Sequence, residues 1–218
     1  LPPALVLEKV EHLLHGLDIN HFAVYIAEIN LLFAVFDLLV KAQKQARFHV
    51  HQSNSLLKDN AQSNFAENDN NGLSVDEPTR VRDRKYDFVC GNPPYVRNER
   101  IPEHDRYALE EQYADVRQKN ADLSVFFVRR AVDWLKEGAR FGMIVSRGIS
   151  DSAYAEKLRE FLSENVTIEE IVPLDWTAHE LFDCDIVPML LILRKEKPDA
   201  EKRLIRLVQR INSKELLY

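Results

Sequence analysis

Runs of apolar and polar positions along the chain follow strand and helix patterns that alternate for nearly the whole length. Apolar or alternating runs predict strands at residues 17–19, 47–51, 86–90, 141–145, 168–174, 187–193 and 204–211. Helical spacing predicts helices at residues 5–14, 22–40, 103–119, 123–135 and 154–164. Gly138 is expected to end the fourth helix as a C-terminal glycine. Uninterrupted apolar strands between helices indicate an α/β fold, a mainly parallel sheet with helices on both faces.

Two segments depart from this alternation. The strands at 168–174 and 187–193 have no helical pattern between them, which predicts an antiparallel strand at one edge of the sheet. Residues 58–85 are polar, rich in Asn, Asp and Arg, and without periodicity, so they predict a long surface loop.

Composition and charge limit the function classes. The chain has 218 residues, of which 45% are apolar and 29% charged, as expected for one globular domain. Its net charge of -6 argues against a self-sufficient DNA clamp, because surfaces that bind phosphates are usually basic. The two cysteines and seven histidines show no metal-ligand spacing. With no cleavable signal, and an apolar segment at 29–40 too short to span a bilayer, the sequence predicts a cytoplasmic protein with no membrane partner.

One tetrapeptide carries recognisable chemistry: Asn92-Pro93-Pro94-Tyr95, directly after the strand at 86–90, which is expected to be buried. Ligands of open α/β sheets bind beyond the carboxyl ends of strands. The prolines stiffen the loop and leave carbonyl acceptors, while the asparagine adds an acceptor oxygen and the tyrosine a flat face. Such a loop can accept both hydrogens of an amino group on a planar ring that stacks on Tyr95. A tight turn with an incidental tyrosine is the alternative.

The tetrapeptide resembles the catalytic loop of class I, S-adenosylmethionine-dependent N6-adenine DNA methyltransferases, particularly those of restriction-modification systems. The resemblance implies a prokaryotic enzyme with a Rossmann-like sheet. It implies transfer of a methyl group from S-adenosylmethionine to the exocyclic amino group of adenine in double-stranded DNA, after the base has left the stack. It also implies that Asn92, Pro93, Pro94 and Tyr95 are the catalytic residues.

Two further segments are similar to the cofactor-binding parts of that family. One of them is residues 16–20, Gly-Leu-Asp-Ile-Asn. The resemblance implies that Asp18 binds the ribose hydroxyls of the cofactor and that Ile19 packs on the cofactor adenine. A helix N-cap is the alternative for Asp18. Asn54, followed by Ser55, stands where the family usually has an aspartate that meets the adenine amino group; a plain polar loop residue is an almost equal alternative.

Other positions extend the resemblance. Phe182 is the candidate for the second face of a sandwich around the target base, opposite Tyr95, or else an ordinary exposed or core phenylalanine. Asp122 matches the start of the helix after the catalytic loop, or is simply its cap. The arginine-rich segments 80–85 and 97–100 flank the loop and would contact the DNA backbone or be solvated.

The family's Gly-rich cofactor loop has no counterpart, since no two of the six glycines are separated by a single residue. We expect that loop and the first strand to lie upstream, so that residues 1–218 form a partial catalytic domain that binds cofactor poorly alone. A target-recognition domain and a restriction endonuclease domain or subunit are expected partners. Two alternatives stay open: methylation of a glutamine amide or of adenine in RNA, and a non-catalytic methyltransferase-like module that positions DNA.

Overall fold

The computed structural model describes residues 1–57, 77–174 and 187–199, together with the backbone of residues 206–207. The chain divides into two compact units, Leu1–Arg84 and Lys85–Tyr218. The first unit contains a two-stranded sheet and the second a five-stranded sheet.

The described residues of the first unit, 1–57 and 77–84, form three helices and two parallel strands. In chain order they are α1 (Pro3–Leu13), β1 (His15–Asp18), α2 (His21–Ala42), β2 (His49–Gln52) and α3 (Glu77–Asp83). Helices α2 and α3 each contact both strands, and α1 packs on α2. Asp18 pairs in register with Gln52, so the carboxyl ends of both strands reach the same edge of the sheet. The predicted loop at 58–85 is therefore too long, because its last part forms α3.

Helix α2 is long and strongly apolar. The Asn20 side chain caps its first turn by accepting from the Phe22 amide at 2.9 Å, and Gln43 ends it in the left-handed conformation with φ 51°. The helix has 22 residues and contains an 18-residue window with a mean hydropathy of 2.0, so by length and composition alone it could cross a bilayer. The helix predicted at 22–40 is confirmed. The expectation that its apolar segment, taken as 29–40, is too short to span a bilayer is corrected, because the apolar pattern begins earlier, at Phe22. Only Val24 and Val35 are buried along it.

The second unit is built on a sheet of order β3-β4-β6-β5-β7. Its strands are β3 (Tyr86–Gly91), β4 (Leu135–Ser146), β5 (Thr167–Pro173), β6 (Pro188–Arg194) and β7 (Arg206–Leu207). Its helices are α4 (Glu103–Gln112), α5 (Leu123–Trp134), the short α6 (Gly148–Asp151) and α7 (Glu156–Asn165), with 3-10 turns at Asn98–Arg100 and Ala153–Ala155.

The predicted α/β class is confirmed, and three of the five strand pairings among the described residues are parallel. The antiparallel strand is present as β6, but its predicted place at the edge is wrong. It lies between β4 and β5 and pairs with both. An apolar run predicts burial but does not say which strands flank it. A position between two neighbouring strands suits the apolar sequence of β6, in which Met189, Leu191 and Leu193 are buried.

Two local predictions are also corrected. Strand β3 was expected to be buried, yet Phe88 is 76% exposed, since within its unit β3 is an edge strand with one neighbour. Gly138 does not end α5: the helix stops at Trp134 and β4 begins at once. Gly138 instead sits in β4 with φ +76°, a conformation that favours glycine, and its amide donates to the Lys195 carbonyl at 2.8 Å.

The core of the second unit is formed by helices that pack on the five-stranded sheet. Helix α5 packs against β3 and β4, and α7 packs against β5. The largest fully buried side chains here include Phe126, Phe141, Leu158, Leu191 and Leu193. Burial of each is worth roughly 1.5–3 kcal/mol relative to exposure. This packing fixes the amino end of α5 beside the carboxyl ends of β3 and β4.

Candidate active site

The loop Asn92-Pro93-Pro94-Tyr95 leaves the carboxyl end of β3 with two acceptors available. The Tyr95 hydroxyl donates to Asn92 Oδ1 at 3.1 Å, which uses one of that oxygen's two lone pairs. The Val96 amide donates to the Pro94 carbonyl at 3.0 Å. No backbone amide of the described residues bonds to the Pro93 carbonyl. Asn92 is exposed, Pro93 is buried and Tyr95 is half-buried.

The loop is fastened to the start of α5. The Leu123 amide donates to the Val96 carbonyl at 2.9 Å, and Asn98 Nδ2 donates to the Ala121 carbonyl at 3.2 Å. Asp122 is the N-cap of α5, since its Oδ1 accepts from the Val125 amide at 3.3 Å. The cap alternative for Asp122 is therefore confirmed: Asp122 begins the buried helix to which the Val96 carbonyl and the Asn98 side chain join the loop.

A second group of residues at this edge is not evident from the sequence. The Tyr154 hydroxyl is hydrogen-bonded to both Asp122 and Ser146, and burial together with the Asp122 carboxylate raises the pKa of Tyr154. Ser146 ends β4, next to the end of β3 in the parallel pair. Gly148 makes room for the tyrosine, because a β-carbon there would overlap the hydroxyl and lie 3.0 Å from Tyr154 Cζ. Spacing gives no signal for this contact, since these residues meet only after the sheet has formed.

The first unit presents the predicted cofactor residues at the shared carboxyl edge of β1 and β2. Asp18 is exposed, and its Oδ1 accepts from the Asn20 amide at 2.7 Å. Ile19 is 70% exposed, so it offers an apolar face. Gln52 was missed by the sequence reading. Its Nε2 donates to the Ile19 carbonyl at 3.3 Å and so orients this turn. Its position directly after the predicted strand at 47–51 was the available signal.

Asn54 and Ser55 follow β2 in a tight turn. Asn54 Oδ1 accepts from the Leu56 amide at 3.0 Å and the Leu57 amide at 3.1 Å. Both lone pairs of that oxygen are thus engaged, and an amine donor would have to displace one of the amides. The structure therefore gives Asn54 a turn-forming position, as in the polar-loop alternative.

The arginine-rich segment at 80–85 does not behave uniformly. Arg82 is 4% exposed, and its guanidinium donates to the Leu57 carbonyl at 3.2 Å. It therefore holds the turn after Asn54 and is neither a DNA contact nor a solvated side chain. Arg80 and Arg84 are exposed, as are Arg97 and Arg100 in the other segment.

The sequence-predicted residues thus form two groups. Asp18, Ile19, Asn54 and Ser55 lie together in the first unit, and Asn92 to Tyr95 lie together in the second. Phe182 lies outside the described residues.

Comparison with known proteins decides the family. The Eco57I restriction-modification methylase family matches residues 12–182, more than half of the chain. The chain belongs to this family. The matched range includes both groups of predicted site residues and the whole of α2, which places α2 within the methylase domain.

Relatives of this methylase agree with the assignment. The chain is 32% identical over 124 residues to the type II methyltransferase M.BstVI of Geobacillus stearothermophilus, across 57% of this chain and 22% of that protein. It is 30% identical over 187 residues to the adenine-specific methyltransferase PglX of Streptomyces coelicolor, across 72% of this chain and 15% of that protein. The chain therefore spans about a fifth of the length of these relatives.

Solved structures show the same fold. The ATP-dependent type ISP restriction-modification enzyme LlaBIII, solved bound to DNA, superposes with a TM-score of 0.67 at 19% identity, covering 88% of this chain and 14% of that one. The fold is that of class I S-adenosylmethionine-dependent methyltransferases.

Proposed function

We propose that this methylase transfers a methyl group from S-adenosylmethionine to the exocyclic amino group of adenine in DNA, as the modification part of a restriction-modification system. The observation that carries the proposal is the pair of available acceptors, Asn92 Oδ1 and the Pro93 carbonyl, beside the Tyr95 ring. An exocyclic amine on an aromatic ring has two hydrogens to donate, and this loop offers two acceptors and a flat face.

These residues act on the amine by orientation. The lone pair of an aromatic amine is delocalised into its ring, which makes the nitrogen a weak nucleophile. Accepting both hydrogens at Asn92 and Pro93 draws the lone pair out of conjugation and fixes its direction. No strong base is required, which fits a loop without a carboxylate. The Tyr95 hydroxyl holds the Asn92 side chain in place while its ring stacks on the base.

The cofactor is assigned to the exposed edge formed by β1 and β2. Asp18 presents a carboxylate suited to a pair of ribose hydroxyls, and Ile19 an apolar surface suited to a purine ring. When bound, S-adenosylmethionine supplies an electrophilic methyl group. Asn54 and Ser55 border this edge, and because Asn54 Oδ1 is engaged in its turn, we assign Asn54 to shaping the loop next to the cofactor adenine.

The target adenine must leave the DNA duplex before it can be methylated. A base inside the duplex cannot reach the loop, so it must be flipped out at a cost of a few kcal/mol. Tyr95 takes one face of the flipped adenine, and Phe182 is proposed for the other. Because the net charge of -6 disfavours a DNA grip by this chain alone, we assign that grip to a target-recognition domain, with a restriction endonuclease domain or subunit as a further partner. Double-stranded DNA as substrate implies a cytoplasmic location.

Methyl transfer from tritium-labelled cofactor tests this proposal. The intact protein is incubated with duplex DNA, with RNA and with protein acceptors, and the labelled nucleosides or residues are identified. We expect label in N6-methyladenine from DNA; label in a glutamine amide or in RNA would assign the same loop to another acceptor. Calorimetry with S-adenosylmethionine separates an enzyme from a non-catalytic module, since the module would bind none.

A further inference from the structure

A cavity in the first unit lies away from the residues assigned to the cofactor. It has a volume of about 260 Å³ and is lined by His12, His15, His49, Arg80, Val81 and Arg84. His15 begins β1 and His49 begins β2, and the two are paired in register. Asp18 and Gln52 occupy the other ends of these strands. The cavity therefore opens at the amino-terminal edge of the sheet, opposite the edge that carries Asp18.

The lining is cationic in a chain of negative net charge. Five of the six lining residues are arginine or histidine, and no carboxylate is among them. Within the part of the chain that the structure describes, neither Arg80 nor Arg84 forms an ion pair with a carboxylate. Instead, Arg84 Nη1 lies 3.1 Å from His15 Nε2. Two guanidinium groups thus line one concave surface that has no carboxylate among its described lining residues.

The electrostatics around His15 agree with this picture. Burial is the largest cause that lowers the pKa of His15, and the Arg84 charge is the next. A hydrogen bond to the Leu13 backbone acts in the opposite direction and raises this pKa. His49 and His51 add small contributions of the same sign as Arg84. Arg84, His49 and His51 are all basic side chains, and a concave surface lined by one sign of charge concentrates counter-ions.

We infer that this cavity binds a terminal phosphoryl group, either free phosphate or a phosphate monoester. The two permanent charges of Arg80 and Arg84 match a group that carries about two negative charges near neutral pH. Guanidinium donors also fit phosphate oxygens in a bidentate manner, and the imidazoles add further donors. A carboxylate or a backbone phosphodiester carries only one charge, so it is a poorer match. This site does not depend on methyl transfer.

Calorimetric titration of the intact protein with inorganic phosphate, at constant ionic strength, tests the site. We expect saturable binding that weakens about tenfold or more in Arg84→Ala, because one charge-assisted contact is lost. Arg80→Gln, which changes an exposed side chain, should weaken it similarly and guards against misfolding of the first variant. Lys9→Ala is the matched control: it removes one exposed positive charge from the same unit and should leave binding within twofold.

Competition with oligonucleotides distinguishes the sources of the phosphoryl group. A duplex with 5′-phosphate ends that displaces phosphate, beside a 5′-hydroxyl duplex that does not, indicates a DNA terminus. Displacement by neither duplex indicates a free phosphate or a nucleotide, and both results support the site. Equal displacement by both duplexes, no saturable phosphate binding, or equal weakening in Lys9→Ala would overturn the inference.

Discussion

The Tyr95 hydroxyl donates a hydrogen bond to Asn92 Oδ1 at 3.1 Å, so the residue proposed to stack on the target base also holds the residue proposed to accept from its amine. The bond spans three residues and lies wholly within the loop that leaves β3. It leaves the second lone pair of Asn92 Oδ1 available for an incoming donor. Tyr95 therefore has two separable parts, a ring and a hydroxyl.

Tyr95→Phe separates these parts. The ring stays, while the hydrogen bond to Asn92, worth about 0.5–1.5 kcal/mol, is lost. We expect kcat to fall by about 2- to 12-fold with little change in KM for DNA, since the loss acts on the orientation of the acceptor. Tyr95→Ala removes the stacking as well and should also raise KM for DNA. Equal kinetics of Tyr95→Phe and Tyr95→Ala would mean that the ring does not stack on the base.

Asp18→Asn tests the cofactor edge. The substitution keeps size and shape but removes the charge that strengthens hydrogen bonds to ribose hydroxyls, each worth about 1.5–3 kcal/mol. Calorimetry on the intact protein should show the Kd for S-adenosylmethionine rising about 10- to 100-fold. Asp37→Asn is the matched control, an exposed carboxylate of the same unit on α2, and should leave Kd unchanged. A similar Kd for S-adenosylmethionine in both variants would show that Asp18 does not bind the cofactor.

Gly148→Ala tests the packing behind the loop. The new β-carbon would overlap the Tyr154 hydroxyl and lie 3.1 Å from Ser152 Oγ, so Tyr154 must leave its bonds to Asp122 and Ser146. We expect the free energy of unfolding to fall by about 1–3 kcal/mol in denaturant titrations. Gly142→Ala serves as the control, because a β-carbon there meets nothing within 4 Å. If both variants unfold alike, the close approach at Gly148 has no energetic consequence.

The ion pairs of Glu169 make the free energy of unfolding fall at acid pH. Arg140 and Arg194 face each other in register across β4 and β6, and Glu169 on β5 binds both, at 2.9 Å and 2.5 Å. The hydrogen bond from Arg140, followed by that from Arg194, lowers the pKa of Glu169 below 4.5 despite partial burial. A lowered pKa contributes stability above the unfolded value, and this stability is lost as pH falls through the folded value.

Glu169→Gln should therefore cost about 0.5–1 kcal/mol of the free energy of unfolding at pH 7. The difference from the unchanged protein should shrink at acid pH, as pH falls through the lowered pKa of Glu169 and the carboxylate of the unchanged protein gains a proton. Thermal unfolding across pH 3–7 measures it. Glu111→Gln, at an exposed position just inside the end of α4, should show no such trend. A pH-independent difference would mean that the Glu169 charge is not responsible.

The sequence could locate the groups of candidate site residues where local order brings those residues together. The tetrapeptide from Asn92 to Tyr95 is one continuous loop, and its hydrogen bond forms within it. Asp18 and Asn54 could be grouped because Asp18 ends one strand and Asn54 follows the next, and the parallel pairing of β1 and β2 brings such positions to one edge. The α/β class followed from periodicity in the same way.

Sequence reading failed where neighbours are chosen by tertiary packing. The contact of Tyr154 with Asp122 joins segments separated by α5 and β4, and no spacing rule predicts it. The position of β6 inside the sheet, and not at its edge, depends on which strands pair and not on its own pattern. Gly138 was misread because a glycine after a helix usually ends it, whereas here its positive φ serves the start of β4.

Asn92→Ala in the intact protein tests the proposed role of the loop most directly, by methyl incorporation into duplex DNA and, in parallel, by S-adenosylmethionine binding. Asn92 lies in a different unit from Asp18 and is exposed, so its loss should spare both folding and the cofactor edge. We expect turnover to fall by roughly a hundredfold or more, as for loss of one preorganised hydrogen-bonding group at a reacting centre, with an unchanged Kd for the cofactor. Turnover close to that of the unchanged protein would contradict that role.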